Sequence, residues 1–207
     1  MPSIVNLVSI DYKSIKSQET ERIIETALRV KPSASPKLMQ VSGVPGAGKS
    51  TYCKMHKSGE YLYLSFDEIM VSLQGYQQEL LLRGMQEAFK KYEMIARVIG
   101  YELLSRAIKK RINIMLEHSG TNEAHLELFR NITTMGYKTV VNFILCDTQE
   151  ALRRTKERSI LINRHVPEEL VLERAKKLND YIEEYQAIAS QVNLLDGVNN
   201  FALLKKI

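Results

Sequence analysis

The sequence predicts an α/β fold in which a mostly parallel, five-stranded sheet alternates with helices. Short apolar runs recur along the 207 residues, and the segments between them repeat their apolar side chains every three to four residues. Helical segments between successive strands favour right-handed crossovers and hence parallel strand pairing. The absence of internal repeats and low-complexity segments favours a single domain over residues 1–207.

The predicted elements follow one another in a regular order. Residues 1–36 are predicted to hold an N-terminal helix, 13–30, and a linker rich in proline and serine. The predicted strands are residues 38–42, 61–66, 112–117, 140–145 and 192–195. The predicted helices are residues 51–56, 85–108 with a break near Gly100, 122–135, about 148–158 and 167–190. Residues 74–84 fit neither pattern, and we interpret them as an excursion that closes over a substrate.

Composition and charge exclude several classes of protein. The chain is 44% hydrophobic and 26% charged, as soluble globular proteins are, and it has no apolar run long enough to cross a bilayer. Without a signal peptide, we expect a cytoplasmic protein with no membrane contact. Cys53 and Cys146 lie in apolar segments and lack metal-ligand spacing. The net charge of +5 suits either nucleic acid or basic residues gathered at a phosphate site.

One stretch matches the phosphate-binding loop G-x-x-x-x-G-K-[ST] at every fixed position. It follows a predicted strand and leads into a predicted helix, so a chance glycine-rich turn is the disfavoured alternative. Lys49 is predicted to reach the β- and γ-phosphates of a nucleoside triphosphate, and Ser50 to ligate Mg²⁺. The fold prediction thus becomes a three-layer P-loop NTPase sandwich. The nucleotide-binding residues are predicted to be Gly43, Pro45, Gly46, Ala47, Gly48, Lys49, Ser50 and Thr51.

A second candidate group follows the second predicted strand. Asp67 stands at the carboxyl end of that strand, on the rim where the phosphate loop also lies. An acid there is suited to take the proton of an acceptor hydroxyl or to complete a Mg²⁺ shell. Capping of the next helix is the alternative, and we favour catalysis. Glu68 is either a substrate contact or an ordinary surface residue.

The third candidate group is a run of arginines after the fourth predicted strand. Guanidinium groups stabilise the charge that spreads over a phosphoryl group in transfer, and a lid that closes over the nucleotide carries them. We assign Arg158 and Arg164 to such a lid, over about residues 150–167. Arg154 shares a helical face with Arg158, four residues on, and is a candidate substrate contact. Arg153 we assign to a solvated helix face.

The segment after the third predicted strand supplies the remaining candidates. Glu117 ends the strand and is predicted to hold Mg²⁺ or water. His118 lies on the predicted active rim and is a candidate ligand-binding residue. Thr121 and Asn122 either contact the acceptor or cap the next helix.

Together these residues resemble the zeta-toxin family of kinases and, beyond it, the polynucleotide-kinase-like branch of P-loop phosphotransferases. The motifs that carry the resemblance are the phosphate loop, Ser65 to Met70, His118 to Thr121, Arg158, and Arg164-His165-Val166-Pro167. The resemblance implies that Asp67 is the catalytic base, Lys49 a γ-phosphate contact, and Arg158 and Arg164 lid arginines. The best-known toxins differ in having glutamine at the position of Val44 and Glu-Gly-Thr at Ser119-Gly120-Thr121. The resemblance therefore bears more on the phosphate donor than on the acceptor.

The function predicted from the sequence is ATP- and Mg²⁺-dependent phosphoryl transfer to a hydroxyl of a small metabolite. The family resemblance implies a nucleotide sugar such as UDP-N-acetylglucosamine as acceptor and a protein antitoxin as partner. A kinase of nucleic-acid 5′-hydroxyls is the alternative, which the mild charge and the lack of an aromatic–basic stripe disfavour. A nucleotide-dependent binding module without an acceptor is a third hypothesis, and Asp67 argues against it.

Overall fold

The computed structural model describes residues 10–162 and 166–207, and for residues 159–162 it describes the backbone alone. Within these ranges six strands form one sheet: β1 (Lys37–Ser42), β2 (Leu62–Leu64), β3 (Ile114–Glu117), β4 (Lys138–Leu145), β5 (Gln191–Asp196) and β6 (Leu203–Lys206). Their order across the sheet is β2-β3-β1-β4-β5-β6. The first five strands are parallel, and β6 pairs antiparallel with β5. The predicted mostly parallel α/β fold is confirmed, with one edge strand more than predicted.

Helices precede and connect the strands. They are α1 (Tyr12–Ile15), α2 (Gln18–Ala27), α3 (Lys49–His56), α4 (Phe66–Ser72), α5 (Gln74–Arg83), α6 (Met85–Lys109), α7 (Glu123–Thr134), α8 (Thr148–Ile162) and α9 (Glu168–Ile188). Among the described residues, none of the helices combines the length and the apolar character of a membrane span. Cys53 is buried and Cys146 half-buried, and neither is in a disulfide.

The sheet places the phosphate loop at its centre. β1 lies between β3 and β4, and its residues Leu38 and Val41 are fully buried. Val41 pairs in register with Glu117, the last residue of β3. Because both strands run in the same direction, the loop after β1 and the acid at the end of β3 meet at one edge of the sheet.

The N-terminal helix and residues 74–84 differ from the prediction. The predicted helix over 13–30 is two helices, because a capping box at Ser17 starts α2. The Ser17 hydroxyl accepts a hydrogen bond from the Thr20 amide, and the Thr20 hydroxyl accepts one from the Ser17 amide. Residues 74–83 form α5, which packs on α6. Glu79 of α5 is buried and accepts a hydrogen bond from Lys91 of α6 at 2.5 Å. This segment is therefore a helix packed on the rest of the protein.

The break predicted near Gly100 is wrong, because α6 runs without interruption from Met85 to Lys109. Gly100 lies where α4 packs closely on α6, and a side chain at this position would collide with α4. A Cβ atom at Gly100 would lie 2.5 Å from two carbon atoms of the Phe66 ring. The glycine thus makes room for a neighbouring aromatic ring and does not break the helix.

We expect Gly100→Ala to destabilise the protein. Alanine gains about 1 kcal/mol in helix propensity over glycine, but overpacking against Phe66 costs about 1–3 kcal/mol, so the net loss is on the order of 1 kcal/mol. Urea unfolding measures it. Gly59→Ala is the control, since a Cβ at Gly59 meets nothing within 4 Å. A Gly100→Ala protein more stable than the parent would show that the ring moves aside without cost.

Candidate active site

The loop between β1 and α3 has a backbone that only glycine accommodates at two positions. Gly43 and Gly46 have φ angles of +139° and +87°. A Cβ would lie 2.6 Å from the carbonyl oxygen of Ile144 at Gly43, and 2.3 Å from that of Ala151 at Gly46. The loop is therefore pressed against the end of β4 and the first turn of α8, where a side chain on either glycine would collide with backbone.

Lys49 begins α3 and folds back over this loop. Its Nζ donates hydrogen bonds to the carbonyl oxygens of Gly43 at 2.9 Å and Val44 at 3.0 Å. The pKa of Lys49 is lowered to about 8, chiefly by burial; the charge of Glu117 opposes this shift and that of Arg174 adds to it. An ammonium in these surroundings would be stabilised by anionic oxygens bound in the loop.

Ser50 and Glu117 lie side by side where β1 and β3 end. The Ser50 hydroxyl donates to Oε1 of Glu117 at 2.6 Å, and the Tyr63 hydroxyl donates to Oε2 at 2.5 Å. Burial raises the pKa of Tyr63, and the Glu117 carboxylate raises it further, so the phenol remains a proton donor. Two hydroxyl groups thus hold one carboxylate in a fixed orientation beside the phosphate loop.

These oxygen atoms fit a Mg²⁺ ion. Mg²⁺ keeps several of its water ligands and is usually bound by one or two carboxylates and substrate phosphates. Ser50, Glu117 and Asp67 line one cavity. Over the described ranges no three His, Cys, Asp or Glu side chains are grouped closely enough to hold a metal by themselves. The residues present suit an ion that arrives with a nucleotide better than a permanent all-protein metal site.

Asp67 lies in the first turn of α4, and the capping role belongs to its neighbour Ser65. The Ser65 hydroxyl accepts a hydrogen bond from the amide of Glu68 at 3.5 Å, which makes Ser65 the N-cap. Asp67 lines the cavity, whereas Glu68 is exposed and is not among the lining residues. The N-cap of α4 is therefore Ser65 and not Asp67. The catalytic role of Asp67 stays a prediction.

A single cavity of about 1140 Å³ joins these groups across the carboxyl ends of the strands. It extends from the β5–β6 turn, past the phosphate loop, to one face of α6. Six cationic side chains and four acidic ones are among the described residues that line it. The cations are Lys49, Lys54, Arg97, Arg154, Arg158 and Arg174, and the acids are Asp67, Glu93, Glu117 and Glu157.

At one end of the cavity the β5–β6 turn packs on the phosphate loop. Phe201, in the left-handed region at φ +57°, places its ring edge-on to Tyr52 at 5.3 Å. A Cβ at Gly48 would lie 3.2 Å from this ring. Arg154 is held here, donating to the carbonyl oxygen of Gly197 at 2.9 Å and to Glu150 at 2.7 Å. The structure thus places Arg154, a candidate substrate contact from the sequence, at the end of the cavity where the phosphate loop lies.

The opposite end of the cavity is formed by α4, α6, α9 and the residues after β3. The side chains of α6 that face it recur every three to four residues and are Phe89, Glu93, Ala96, Arg97 and Tyr101. Phe66 lies 5.0 Å from the ring of Tyr101 and 6.4 Å from that of His118. This end therefore combines an aromatic wall with charged groups on two long helices.

His118 forms part of this wall and is paired with a second histidine. Its ring stacks on that of His125 with 3.5 Å between centroids, and its Nδ1 accepts a hydrogen bond from the Gly120 amide at 3.1 Å. Burial, the neighbouring His125 and the charge of Arg174 hold the pKa of His118 well below its usual range. Burial and Arg97 lower the pKa of His125 to about 3. Both rings are therefore neutral near pH 7.

The remaining sequence-predicted residues divide into two groups. Asn122 caps α7 by accepting a hydrogen bond from the His125 amide at 3.2 Å, and neither it nor Thr121 lines the cavity. Arg158 of α8 does line the cavity, whereas the exposed Arg153 pairs with Glu150 and Glu157. Arg164 lies outside the described residues. The helix predicted over about 148–158 is longer than expected, since α8 continues to Ile162.

The lining residues that the sequence reading missed include Arg97, Arg174 and Phe201. Each is distant from the phosphate loop in sequence and reaches the cavity only through the packing of α6, α9 or the β5–β6 turn. The sequence offered one signal for these residues: Arg97 is a charged residue within an otherwise apolar stretch of α6, residues 94–99.

Comparison with known proteins gives one family and several solved structures that share the fold. The family model described as Zeta toxin matches residues 20–203. No curated protein matches significantly. The structure is similar to one from the PezAT chromosomal toxin-antitoxin system of Streptococcus pneumoniae, with TM-score 0.74 and 15% identity over 92% of this chain and 81% of that chain.

Two further solved structures share the fold. One is AvrRxo1-ORF1:-ORF2 with ATP, with TM-score 0.62 and 11% identity over 86% of this chain and 62% of that chain. The other is the Pnkp1/Rnl/Hen1 RNA repair complex, with TM-score 0.53 and 16% identity over 73% of this chain and 47% of that chain. In both cases this chain spans less than two thirds of the other chain's length. These identities are low enough that the likeness concerns the fold alone.

Proposed function

Because the chain belongs to the zeta toxin family, we propose that it is an ATP-dependent phosphotransferase that moves the γ-phosphate of ATP to a hydroxyl of a small metabolite. The observation that carries the proposal is the shared cavity: Asp67 lines the same space as six residues of the phosphate loop, Pro45, Gly46, Gly48, Lys49, Ser50 and Thr51. The family resemblance makes a nucleotide sugar such as UDP-N-acetylglucosamine the first acceptor to test.

The donor would bind at the loop end of the cavity. The amides of the loop and the N-terminal end of α3 would face the β- and γ-phosphates, and Lys49 would leave its carbonyl partners for the phosphate oxygens. Phe201 and Arg154 would bracket the nucleobase. The AvrRxo1-ORF1:-ORF2 structure, which shares the fold, is a complex with ATP, and this supports ATP as the donor here.

Ser50 and Asp67 would hold a Mg²⁺ ion that arrives with the nucleotide, with Glu117 beside Ser50 as a second carboxylate. When bound, the ion neutralises charge on the phosphates that are being separated. Glu117 would orient the Ser50 hydroxyl and the water molecules nearby, since both of its oxygens already accept short hydrogen bonds.

In the transfer step Asp67 would accept the proton of the acceptor hydroxyl. The acceptor oxygen then bonds to the γ-phosphorus as the bond from that phosphorus to the β–γ bridging oxygen breaks, and ADP leaves with the electron pair. Arg158, and Arg164 if the lid prediction is correct, would meet the charge on the transferring group. The neutral His118 would bound the acceptor space without adding charge.

Two partners remain as proposals beside the metabolite. A 5′-hydroxyl of RNA is the second candidate acceptor, since the fold is shared with a protein of an RNA repair complex. A protein antitoxin is the proposed regulatory partner, because the PezAT neighbour comes from a toxin-antitoxin system. A nucleotide switch without an acceptor is disfavoured, because it would have no use for Asp67 in the cavity.

The test is transfer from ATP labelled at the γ-phosphate. The protein is incubated with Mg²⁺ and, separately, UDP-N-acetylglucosamine, uncharged sugars and 5′-hydroxyl RNA, and labelled products are separated from free phosphate. Label on a small acceptor supports the proposal, and label on RNA alone selects the nucleic-acid alternative. ATP hydrolysis or binding with no labelled acceptor in a wide panel would contradict it.

Arg158→Ala is expected to lower kcat by on the order of 10²-fold with little change in ATP affinity. Arg158 projects from α8 into the cavity and would meet phosphate charge mainly in the transition state, which affects kcat more than binding. We expect the same pattern for Arg164→Ala. Arg153→Ala is the matched control on the same helix, with its side chain paired outside the cavity. Equal, small effects at Arg158 and Arg153 in steady-state kinetics would assign Arg158 to the surface.

A further inference from the structure

Tyr63 lies behind the wall of the cavity, next to the carboxylate that ends β3. Its hydroxyl donates to Oε2 of Glu117 at 2.5 Å, while the Ser50 hydroxyl donates to Oε1 at 2.6 Å. The described residues that line the cavity include Ser50 and Glu117 but not Tyr63. Any effect of the Tyr63 hydroxyl on a bound nucleotide must therefore pass through Glu117.

The fold holds the Tyr63 ring in place from two sides. Tyr63 is the middle residue of β2, where a buried leucine stands on either side of it, and it pairs in register with Met115 of β3. Lys57, the residue after α3, places its ammonium over the ring, 5.1 Å from the centroid. A ring on a paired strand that is also contacted from a helix end gives the Glu117 carboxylate a firm point of attachment.

The hydrogen bond from Ser50 decides where its lone pairs point. A serine hydroxyl has one proton to donate and two lone pairs. Because the proton goes to Glu117, the lone pairs of the Ser50 oxygen face away from the carboxylate. The serine of a phosphate loop offers this oxygen to Mg²⁺, and a hydroxyl that turned its proton toward the ion could not bind it.

A carboxylate released from Tyr63 would have a competing partner in Lys49. The charge of Glu117 already acts on Lys49, whose ammonium is bonded to the carbonyl oxygens of Gly43 and Val44. If Glu117 turned to Lys49, it would leave the Ser50 hydroxyl and neutralise the cation that the phosphates need. Two hydroxyl donors on one carboxylate oppose both changes.

We propose that Tyr63 is a positioning residue for the Mg²⁺ ion that arrives with the nucleotide: it holds Glu117 so that the Ser50 oxygen faces the ion. The phosphate-loop pattern does not call for a tyrosine on the neighbouring strand, so this residue lies outside the motif. The inference rests on the proposed function for the nucleotide and its ion, but it requires neither an acceptor nor transfer.

The experiment measures the affinity of a non-hydrolysable ATP analogue by calorimetry, once with Mg²⁺ and once with EDTA. Tyr63→Phe is expected to weaken binding at least ~10-fold with Mg²⁺, the lower end of the effect of losing a group that supports a metal ligand. With EDTA we expect a change of less than about 2-fold, because the ion is absent. A merely structural role would weaken binding equally in both conditions.

The control is Tyr61→Phe, which makes the same substitution two residues earlier, just before β2 and away from the carboxyl ends of the strands. It is expected to change neither affinity by more than about 2-fold. Thermal unfolding shows whether each variant folds. Glu117→Gln is expected to give the same Mg²⁺-dependent loss, so the proposal can still be contradicted if Tyr63→Phe does not fold.

A double variant tests whether Tyr63 acts through the carboxylate. In a Glu117→Gln background, Tyr63→Phe is expected to weaken binding by no more than about 2-fold further, because groups that act through one another are not additive. A further loss as large as in the parent chain would mean that Tyr63 acts by another route, and would overturn the proposal.

The remaining outcomes also decide it. Unchanged Mg²⁺-dependent affinity in a folded Tyr63→Phe protein, or an equal loss with Mg²⁺ and with EDTA, would overturn the proposal. The expected pattern in a protein that transfers phosphate to no acceptor would support the role of Tyr63 while contradicting the proposed function. A parent chain that does not bind the analogue in either condition would overturn both.

Discussion

Lys49→Ala is expected to abolish phosphoryl transfer, with a loss of at least ~10³-fold, the upper end of the effect of removing one preorganised charge donor. The Lys49 ammonium now lies against the carbonyl oxygens of Gly43 and Val44, poised over the loop. Lys49 is the one cationic residue of the phosphate loop, residues 43–51, so no other side chain of the loop can take its place at the β- and γ-phosphates. Transfer from labelled ATP measures the loss.

The control for this variant is Lys109→Ala. Lys109 is exposed and lies in the last turn of α6, where the helix leads into the start of β3, at the edge of the sheet opposite the cavity. Circular dichroism and thermal unfolding should show that both variants fold. Turnover within about 10-fold of the parent in a folded Lys49→Ala protein would exclude the loop as the catalytic nucleotide site.

The phosphate loop could be predicted from the sequence, because the residues that define it are adjacent in the chain. The loop, Lys49 and Ser50 lie within nine consecutive residues, and the left-handed angles at Gly43 and Gly46 explain why glycine stands there. The membership in the zeta toxin family, inferred from the motifs, is confirmed by a match over residues 20–203.

The edge of the sheet was harder to predict. β6 is four exposed residues after a turn, so it has neither a buried apolar run nor a clear alternation. The turn itself contains Asn200 and Phe201 at positive φ. Asparagine adopts this conformation readily, but an aromatic residue rarely does, so the conformation of Phe201 could not be expected from the sequence. Asp196 stabilises it by accepting hydrogen bonds from the amides of Val198 and Asn199.

The end of the cavity between α6 and α9 could not be predicted, because it is assembled from distant parts of the chain. Arg97 and Arg174 are far apart in the sequence, and only the packing of α6 and α9 around the sheet brings them to one cavity. Gly100 misled the prediction for a related reason. Its small size serves a contact with Phe66 that lies 34 positions earlier, and a local reading takes it for a helix break.

Asp67→Asn is expected to lower transfer by at least ~10²-fold while ATP binding stays largely intact, because asparagine keeps the shape of the side chain but cannot accept the proton of the acceptor hydroxyl. Asp67 lines the cavity from the first turn of α4, and Ser65 takes the capping role, so loss of the carboxylate should spare the helix. Turnover and calorimetric ATP affinity are measured on one sample, with the exposed Asp180→Asn of α9 as control. Unchanged turnover would leave Asp67 without a catalytic role, and a collapse of Mg²⁺-dependent ATP binding would make metal binding its main function.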